Sequence, residues 1–348
     1  MRNKVLAFSI FLCGCFVFGA LFQPLNLQPI EAKTQSLTSA KCMAVIEAES
    51  KRVLFSKCEN EKVALASTTK IVTALTVIKH CHNLDEKFVV DDRAVGVEGT
   101  SLYLVKGEMK TARELLYGIM LPSGNDGAMA LAIKIGGSKE GFSRLMNKTA
   151  KECGAENSNF VNPHGLDEKG HQTTALDLAK ITAVALKNEI FKEICSSQNA
   201  TISGAKESEV RHLKNKNKLL YLLDGCIGVK TGYTGDAGRC LVSAAKRDGM
   251  QVVCVVLNCG PMFEESTMLI NKAFKDYKIY ELLSPYHIVK KIIVENGEVD
   301  NVKVFSVNGF CYPLTMEEYL MLNYDYDLPE KLNAPIKKEE IVGDVKIL

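Results

Sequence analysis

The sequence predicts an α+β fold: a large domain whose sheet is assembled from both ends of its chain segment around a helical insertion, then a small all-β domain. Three observations predict it. Strand-patterned segments stand at 42–57 and again at 228–258, helix-patterned segments fill the interval, and after Pro285 the texture changes to short strands with polar turns. A chain of 348 residues can bury two cores, and its apolar and charged fractions are ordinary for a globular protein. A formal charge of +2 leaves no electrostatic footprint for nucleic acid. The short basic run RHLKNKNK (211–218) reads as a solvated loop.

At the N-terminus, Arg2 and Lys4 precede the uncharged run VLAFSIFLCGCFVFGALF (5–22), followed by Pro24, Pro29 and IEA ending at Ala32. A basic start, an apolar run and a small residue before a polar segment describe a secretory signal over residues 1–32. The run is about 18 residues, near the minimum that spans a bilayer. A cleaved leader, an uncleaved anchor and a lipid on Cys15 are therefore alternative forms of one expectation: export to the cell wall or the outer face of the cytoplasmic membrane.

The segment CMAVIEAESKRVLFSKC (42–58) reads as a hairpin turning near 48–51, which sets Cys42 opposite Cys58. A bridge and two free thiols both fit. The cysteines at 42, 58, 81, 153, 195, 226, 240, 254, 259 and 311 form no CxxC pair and no Cys/His cluster, so no metal and no cofactor are expected. Next comes a helix beginning near Ser67, with Ile71, Val72, Leu75 and Ile78 at helical spacing. TARELLYGIM (111–120) is a second helix, stopped by Pro122 and Gly124. DGAMALAIKIG, SKEGFSRLMNKTAKECG (closed by Gly154) and TALDLAKITAVALKN (174–188) are three more.

Strands return in GVKTGYT, RCLVSAAKR and MQVVCVVLN, the last two joined by a turn at Asp248–Gly249. A helix over 264–283 is expected to close the large domain, giving boundaries of 33–283 and 284–348. The small domain would hold IVKKIIV, NVKVFSV, GFCYPLT and EEIVGDVKIL as strands, the last of them strand-like rather than an amphipathic membrane helix.

Chemistry enters with three motifs. ASTTKIVTAL places Ser67 and Lys70 three apart, on one face of a helix. Serine at a helix start is commonly a cap, and the same backbone serves a nucleophile whose base lies one turn along. Ser-x-x-Lys alone is weak: a chain this long carries roughly one or two by chance, and Ser203 with Lys206 is a second copy. Ser123-Gly124-Asn125 sits in LPSGNDGA between two helices, where a bland reading is a turn. Lys230-Thr231-Gly232 lies in a strand, and Gly232 permits close approach of a ligand backbone to the strand edge.

The three in this order, about 56 and about 107 residues apart, form the set found in penicillin-binding proteins and class A β-lactamases. With NPHGLD (162–167), HQTTALDLA (171–179) and GVKTGYTGDAGRCLVSAAKRDG, the chain from 38 to 283 closely resembles the serine D-alanyl-D-alanine carboxypeptidases, which are low-molecular-mass penicillin-binding proteins. The fold implied is the penicillin-binding/β-lactamase-like transpeptidase domain followed by a small β domain in the family's style. The partners implied are a peptidoglycan stem peptide and β-lactam inhibitors.

The resemblance also implies roles. Ser67 would be the nucleophile, Lys70 the general base, its side chain in a cleft rather than the core, and Ser123 a proton relay, with Lys230 keeping the field positive. Asn125 would hold the substrate backbone and Thr231 its terminal carboxylate. The N–H groups of Ser67 and Tyr233, beside Gly232, would form the oxyanion hole. Three departures stand out: Leu65-Ala66 where Pro-Ala is common, Tyr233 where some members carry His, and no arginine in NCGPMFEES (258–266), where some relatives use one on the substrate carboxylate. AGRC and NCGPMFEES are similar to sporulation-associated members.

Two rivals remain at this point. A β-lactamase would need a water-activating Glu with Glu-x-x-x-Asn spacing, and the region near Glu156 lacks it. A non-catalytic wall-binding protein would have no reason to keep all three motifs.

Overall fold

The computed structural model describes residues 38–206 and 208–348, together with the backbone of Leu6–Leu12. The rest of the segment read as a secretory signal lies outside the described residues. The chain forms two compact units, one of Pro29–Phe274 and one that takes Lys275–Leu348 together with the N-terminal strand.

In the larger unit, five antiparallel strands stand in the order Val53–Lys57, Cys42–Glu47, Met250–Leu257, Gly238–Arg247, Cys226–Thr234. Strands from the two ends of the segment meet where Val253 pairs with Ile46. The pleat alternates which side chains join the helical core: Cys42, Ala44 and Ile46 do, whereas Met43 and Val45 are buried on the opposite face. With both faces covered, the central strands are apolar throughout rather than alternating. Asp248 (φ 46°) and Gly249 (φ 80°) make the expected two-residue turn, which needs positive φ at both positions.

Helices Lys70–His80, Ala112–Met120, Asn125–Gly136, Lys139–Glu152 and Ala175–Ala185 fill the insertion. Their starts are written locally. Thr111 and Glu114 form a reciprocal capping box, and Ser138 and Thr174 accept from the N–H groups of Gly141 and Asp177. Phe142, Phe160 and Phe191 are fully buried among them, each stabilising by about 2–3 kcal/mol.

The basic run 211–218 is not a free loop. Val210–Lys214 pairs with Asn199–Ser203, and Arg211 bonds Glu108, whose carboxylate also holds Lys110 at 2.9 Å with both side chains out of solvent. All ten cysteines from 42 to 311 carry free thiols, Cys42 buried and Cys58 exposed.

Two features differ from the sequence expectation. The helix expected over 264–283 spans Met262–Asp276, and Lys278–Leu283 is a strand paired with Phe310–Leu314. That strand therefore belongs to the small unit, and its partner lies too far along the chain for local periodicity to register. The small unit also carries a helix, Met316–Leu320, started by a Thr315–Glu318 capping box. Its main sheet contains Ile288–Glu295, Asn301–Ser306 and Ile341–Ile347, with Leu6–Leu12 between the last two. Among the described residues no helix is long and apolar enough to cross a membrane, and no His/Cys/Asp/Glu group is placed to hold a metal.

Candidate active site

The turn carrying Ser67 is a 3-10 segment, Ala66–Thr69, running into the helix that begins at Lys70. Ser67 is not a cap: the N-cap residues are Leu65 and Thr69, and neither makes a side-chain capping bond. Its hydroxyl faces Lys70 Nζ at 3.0 Å instead. Ala66, just before it, is left-handed at φ 49°, a conformation that strains a residue with a Cβ.

Lys70, expected in a cleft rather than the core, is fully buried, with a relative exposure of 0%. Its amine also meets Asn125 Oδ1 at 2.7 Å and the His164 carbonyl at 2.6 Å. Burial holds its pKa well below the usual lysine range, with Lys230 and Lys216 adding to the shift and Asp126 opposing it. A neutral amine has two N–H donors and one lone pair. Asn125 and His164 take the donors, which leaves the lone pair for the Ser67 O–H.

Asn125 uses its other amide end on the Glu98 carbonyl at 2.6 Å, so its side chain is fixed at both ends. Neighbouring Asp126 accepts from the N–H groups of Leu102 and Leu104 and from Ser101 Oγ, pinning the 101–104 loop to the first turn of the helix that carries Asn125. Ser123 is left-handed at φ 78° and buried, and its hydroxyl makes no hydrogen bond among the described residues. A buried unpaired hydroxyl costs about 1–3 kcal/mol, which an incoming polar atom recovers.

Cys226–Thr234 is the edge strand of its sheet, so one side of Lys230–Tyr233 has no strand neighbour. Gly232 is required there: a Cβ would lie 3.0 Å from the backbone N of both Ser67 and Thr68. That contact brings the strand against the N–H end of the 3-10 turn. The Tyr233 side chain points outward, 69% exposed, so only its backbone is placed to take part. Lys230 is buried, donates to the Thr231 carbonyl at 2.9 Å, and is pushed down to about 7 by burial, with Lys216 adding.

Sequence reasoning missed several contributors. Lys216 lies in the run read as a solvated loop, reaches Thr100 Oγ1 at 3.3 Å, and is close enough to lower both Lys70 and Lys230. The His164 carbonyl belongs to NPHG, where Asn162 Oδ1 accepts from Gly165 N–H at 2.8 Å and Thr73 donates to the Pro163 carbonyl at 2.7 Å. Nothing in the linear pattern marks a backbone oxygen as a partner. Arg239 turns to the Gly260 carbonyl at 3.3 Å. Glu156 is exposed and Glu168 pairs with Lys139, so neither acts as the water-activating carboxylate a lactamase requires. The second copy, Ser203 and Lys206, is held elsewhere: Ser203 Oγ bonds Glu114 and Lys110, while Lys206 pairs with Glu209.

A family model described as D-alanyl-D-alanine carboxypeptidase matches residues 30–260. The chain belongs to the D-alanyl-D-alanine carboxypeptidase family. Residues 277–348 match the C-terminal domain of penicillin-binding protein 5. Among curated relatives, the carboxypeptidase DacF of Bacillus subtilis is 32% identical over 87% of this chain and 80% of its own. DacC of Escherichia coli is 29% identical over 95% and 85%. The Streptomyces K15 DD-transpeptidase structure superposes with TM-score 0.64 at 32% identity, covering 68% of this chain and 98% of that one. Penicillin-binding protein 5 of Haemophilus influenzae shares the fold, with TM-score 0.76 at 24% identity over 89% and 93%.

Proposed function

We propose that this carboxypeptidase removes the terminal D-alanine from peptidoglycan stem pentapeptides through an acyl-enzyme on Ser67. The observation that carries the reading is the Lys70 amine, buried, 3.0 Å from Ser67 Oγ and held below the usual lysine range. Lys70 takes the Ser67 proton as Oγ attacks the carbonyl between the two D-alanines. Negative charge collects on the carbonyl oxygen, which the Ser67 and Tyr233 N–H groups face; one such donor is worth about 100- to 1000-fold in rate. As the C–N bond breaks, Ser123 gives its hydroxyl proton to the leaving amine and takes in exchange the proton that Lys70 accepted from Ser67, which returns Lys70 to the neutral amine. Water then cleaves the ester and restores Ser67.

Substrate placement follows from the same groups. The stem peptide adds as a strand along Lys230–Tyr233. Its terminal carboxylate meets Thr231 and the positive field of Lys230 and Lys216, which offsets the missing arginine in 258–266. Asn125 gives the acyl side a polar contact once its bond to Lys70 loosens. β-Lactams enter as substrates whose ester is released slowly. Since peptidoglycan lies outside the cytoplasm, the N-terminal basic-apolar segment is read as the export signal.

D-alanine release from a synthetic pentapeptide, blocked by benzylpenicillin, is the test. Labelled penicillin should leave a long-lived adduct that Ser67→Ala abolishes. Rapid turnover of the label would point to a lactamase, and no adduct would sink the enzymatic reading.

A further inference from the structure

His171 belongs to none of the three motifs and touches none of Lys70, Ser123 or Lys230 by hydrogen bond, yet it is buried beside the nucleophile turn. Its Nδ1 accepts from the Val161 N–H at 3.1 Å. A neutral ring with Nδ1 accepting carries its proton on Nε2. That Nε2 lies 2.8 Å from Thr69 Oγ1, so the ring donates to the hydroxyl. The hydroxyl in turn has one proton, and it donates this to the Ala66 carbonyl at 2.8 Å. Burial holds the ring neutral, with its pKa lowered to about 4.

The far end of this chain is the peptide that matters most for the reaction. The Ala66 carbonyl and the Ser67 N–H belong to one planar trans unit, so the orientation of one fixes the other, pointing opposite ways. Ala66 would not hold φ 49° by preference. Two features over-determine it: the Thr69 bond on its carbonyl, and Gly165 packed against that same oxygen, where a Cβ would sit 2.0 Å away. The donor on the carbonyl also polarises the peptide, which strengthens its N–H as a donor.

We infer that His171 and Thr69 are positioning residues of the oxyanion hole: the one-way chain from Val161 N–H through His171 and Thr69 to the Ala66 carbonyl aims the Ser67 N–H at the substrate oxygen. The inference rests on Ser67 being the nucleophile, with its own N–H in the hole.

The test uses benzylpenicillin on the full chain. Thr69→Val and His171→Leu remove the hydrogen bonds at nearly constant volume. Each should slow acylation and deacylation by about 10- to 100-fold, below the full loss of a hole donor, with non-covalent affinity unchanged. The infrared stretch of the penicilloyl ester carbonyl should move to higher wavenumber. Thr69→Ser, which keeps the hydroxyl, should recover most of the rate and the wild-type stretch. In the Thr69→Val background, His171→Leu should add less than about twofold, because it acts through that hydroxyl. Wild-type acylation rates in Thr69→Val, or slowed rates with an unmoved carbonyl stretch, would overturn the inference; if that variant does not fold, His171→Leu is read by the same stretch. Mapping the wild-type adduct by peptide mass spectrometry separates the two levels: an adduct away from Ser67 sinks the nucleophile assignment itself.

Discussion

Ser67–Lys70 and Ser203–Lys206 are the same four-residue pattern in one chain, and they differ in everything around it. Lys70 is buried, bonded to Asn125 and His164, and depressed by two neighbouring lysines. Lys206 stands in solvent beside Glu209 at 3.4 Å. Among the described residues the Ser67 hydroxyl bonds only its lysine, whereas Ser203 is consumed by Glu114 and Lys110 in a part-buried polar network. On the proposed reading, a serine and a lysine one turn apart serve as nucleophile and base where desolvation strips the ammonium of its proton and the amine's other donors are already engaged. The second pair has neither condition, and its serine is a structural anchor.

The contrast can be broken at its strongest point first. Lys70→Ala should lower the acylation rate constant for labelled penicillin by about 1000- to 10,000-fold, the upper range for a general base. Lys206→Ala should change it less than twofold. Equal effects would mean that the pattern, not its surroundings, sets reactivity.

A smaller effect is expected from Lys216, which lowers both site lysines. In the wild type, kcat/KM should rise with pH as Lys70 loses its proton and fall as Lys230 loses its own near about 7. Lys216→Gln removes a positive charge, so both pKa values rise and the whole bell should move to higher pH, with KM raised several-fold. An unshifted profile would remove Lys216 from the site.

Smallest in rate but visible in stability is Ser203→Ala. It leaves buried Lys110 and Glu114 short of a partner and should cost about 1–3 kcal/mol in denaturant unfolding with acylation unchanged. Ser67→Ala should show the opposite pattern, with activity abolished and stability kept, because the Ser67 hydroxyl is partly exposed and supports nothing else.

Ser67, Lys70, Ser123, Asn125, Lys230 and Thr231 could be nominated from the sequence because each carries side-chain chemistry, and Gly232 because it lacks a side chain, whereas Tyr233 enters only through its backbone. Of these the structure joins Ser67, Lys70 and Asn125 by hydrogen bonds. The strands of the sheet were legible from apolar runs and from Asp248–Gly249, where the turn demands residues tolerant of positive φ. What escaped was set by three-dimensional neighbours. Lys216 looks like any surface lysine until the hairpin 199–214 docks through Glu108 and Lys110 and carries the residue after it to Thr100. Ala66 gives no sign of a left-handed backbone, since that conformation is ordinarily glycine's and disfavours a residue with a Cβ. The strand Lys278–Leu283 was read as helix because its partner strand starts at Phe310, beyond any local window.

Lysine carbon NMR across a pH titration tests the central claim most directly. Two lysines should titrate well below the ordinary value of about 10.4: the signal lost in Lys70→Ala and the one lost in Lys230→Ala, and both should move upward in Lys216→Gln. A Lys70 resonance that titrates in the ordinary lysine range would contradict the account, because an ammonium at neutral pH has no lone pair with which to take the Ser67 proton.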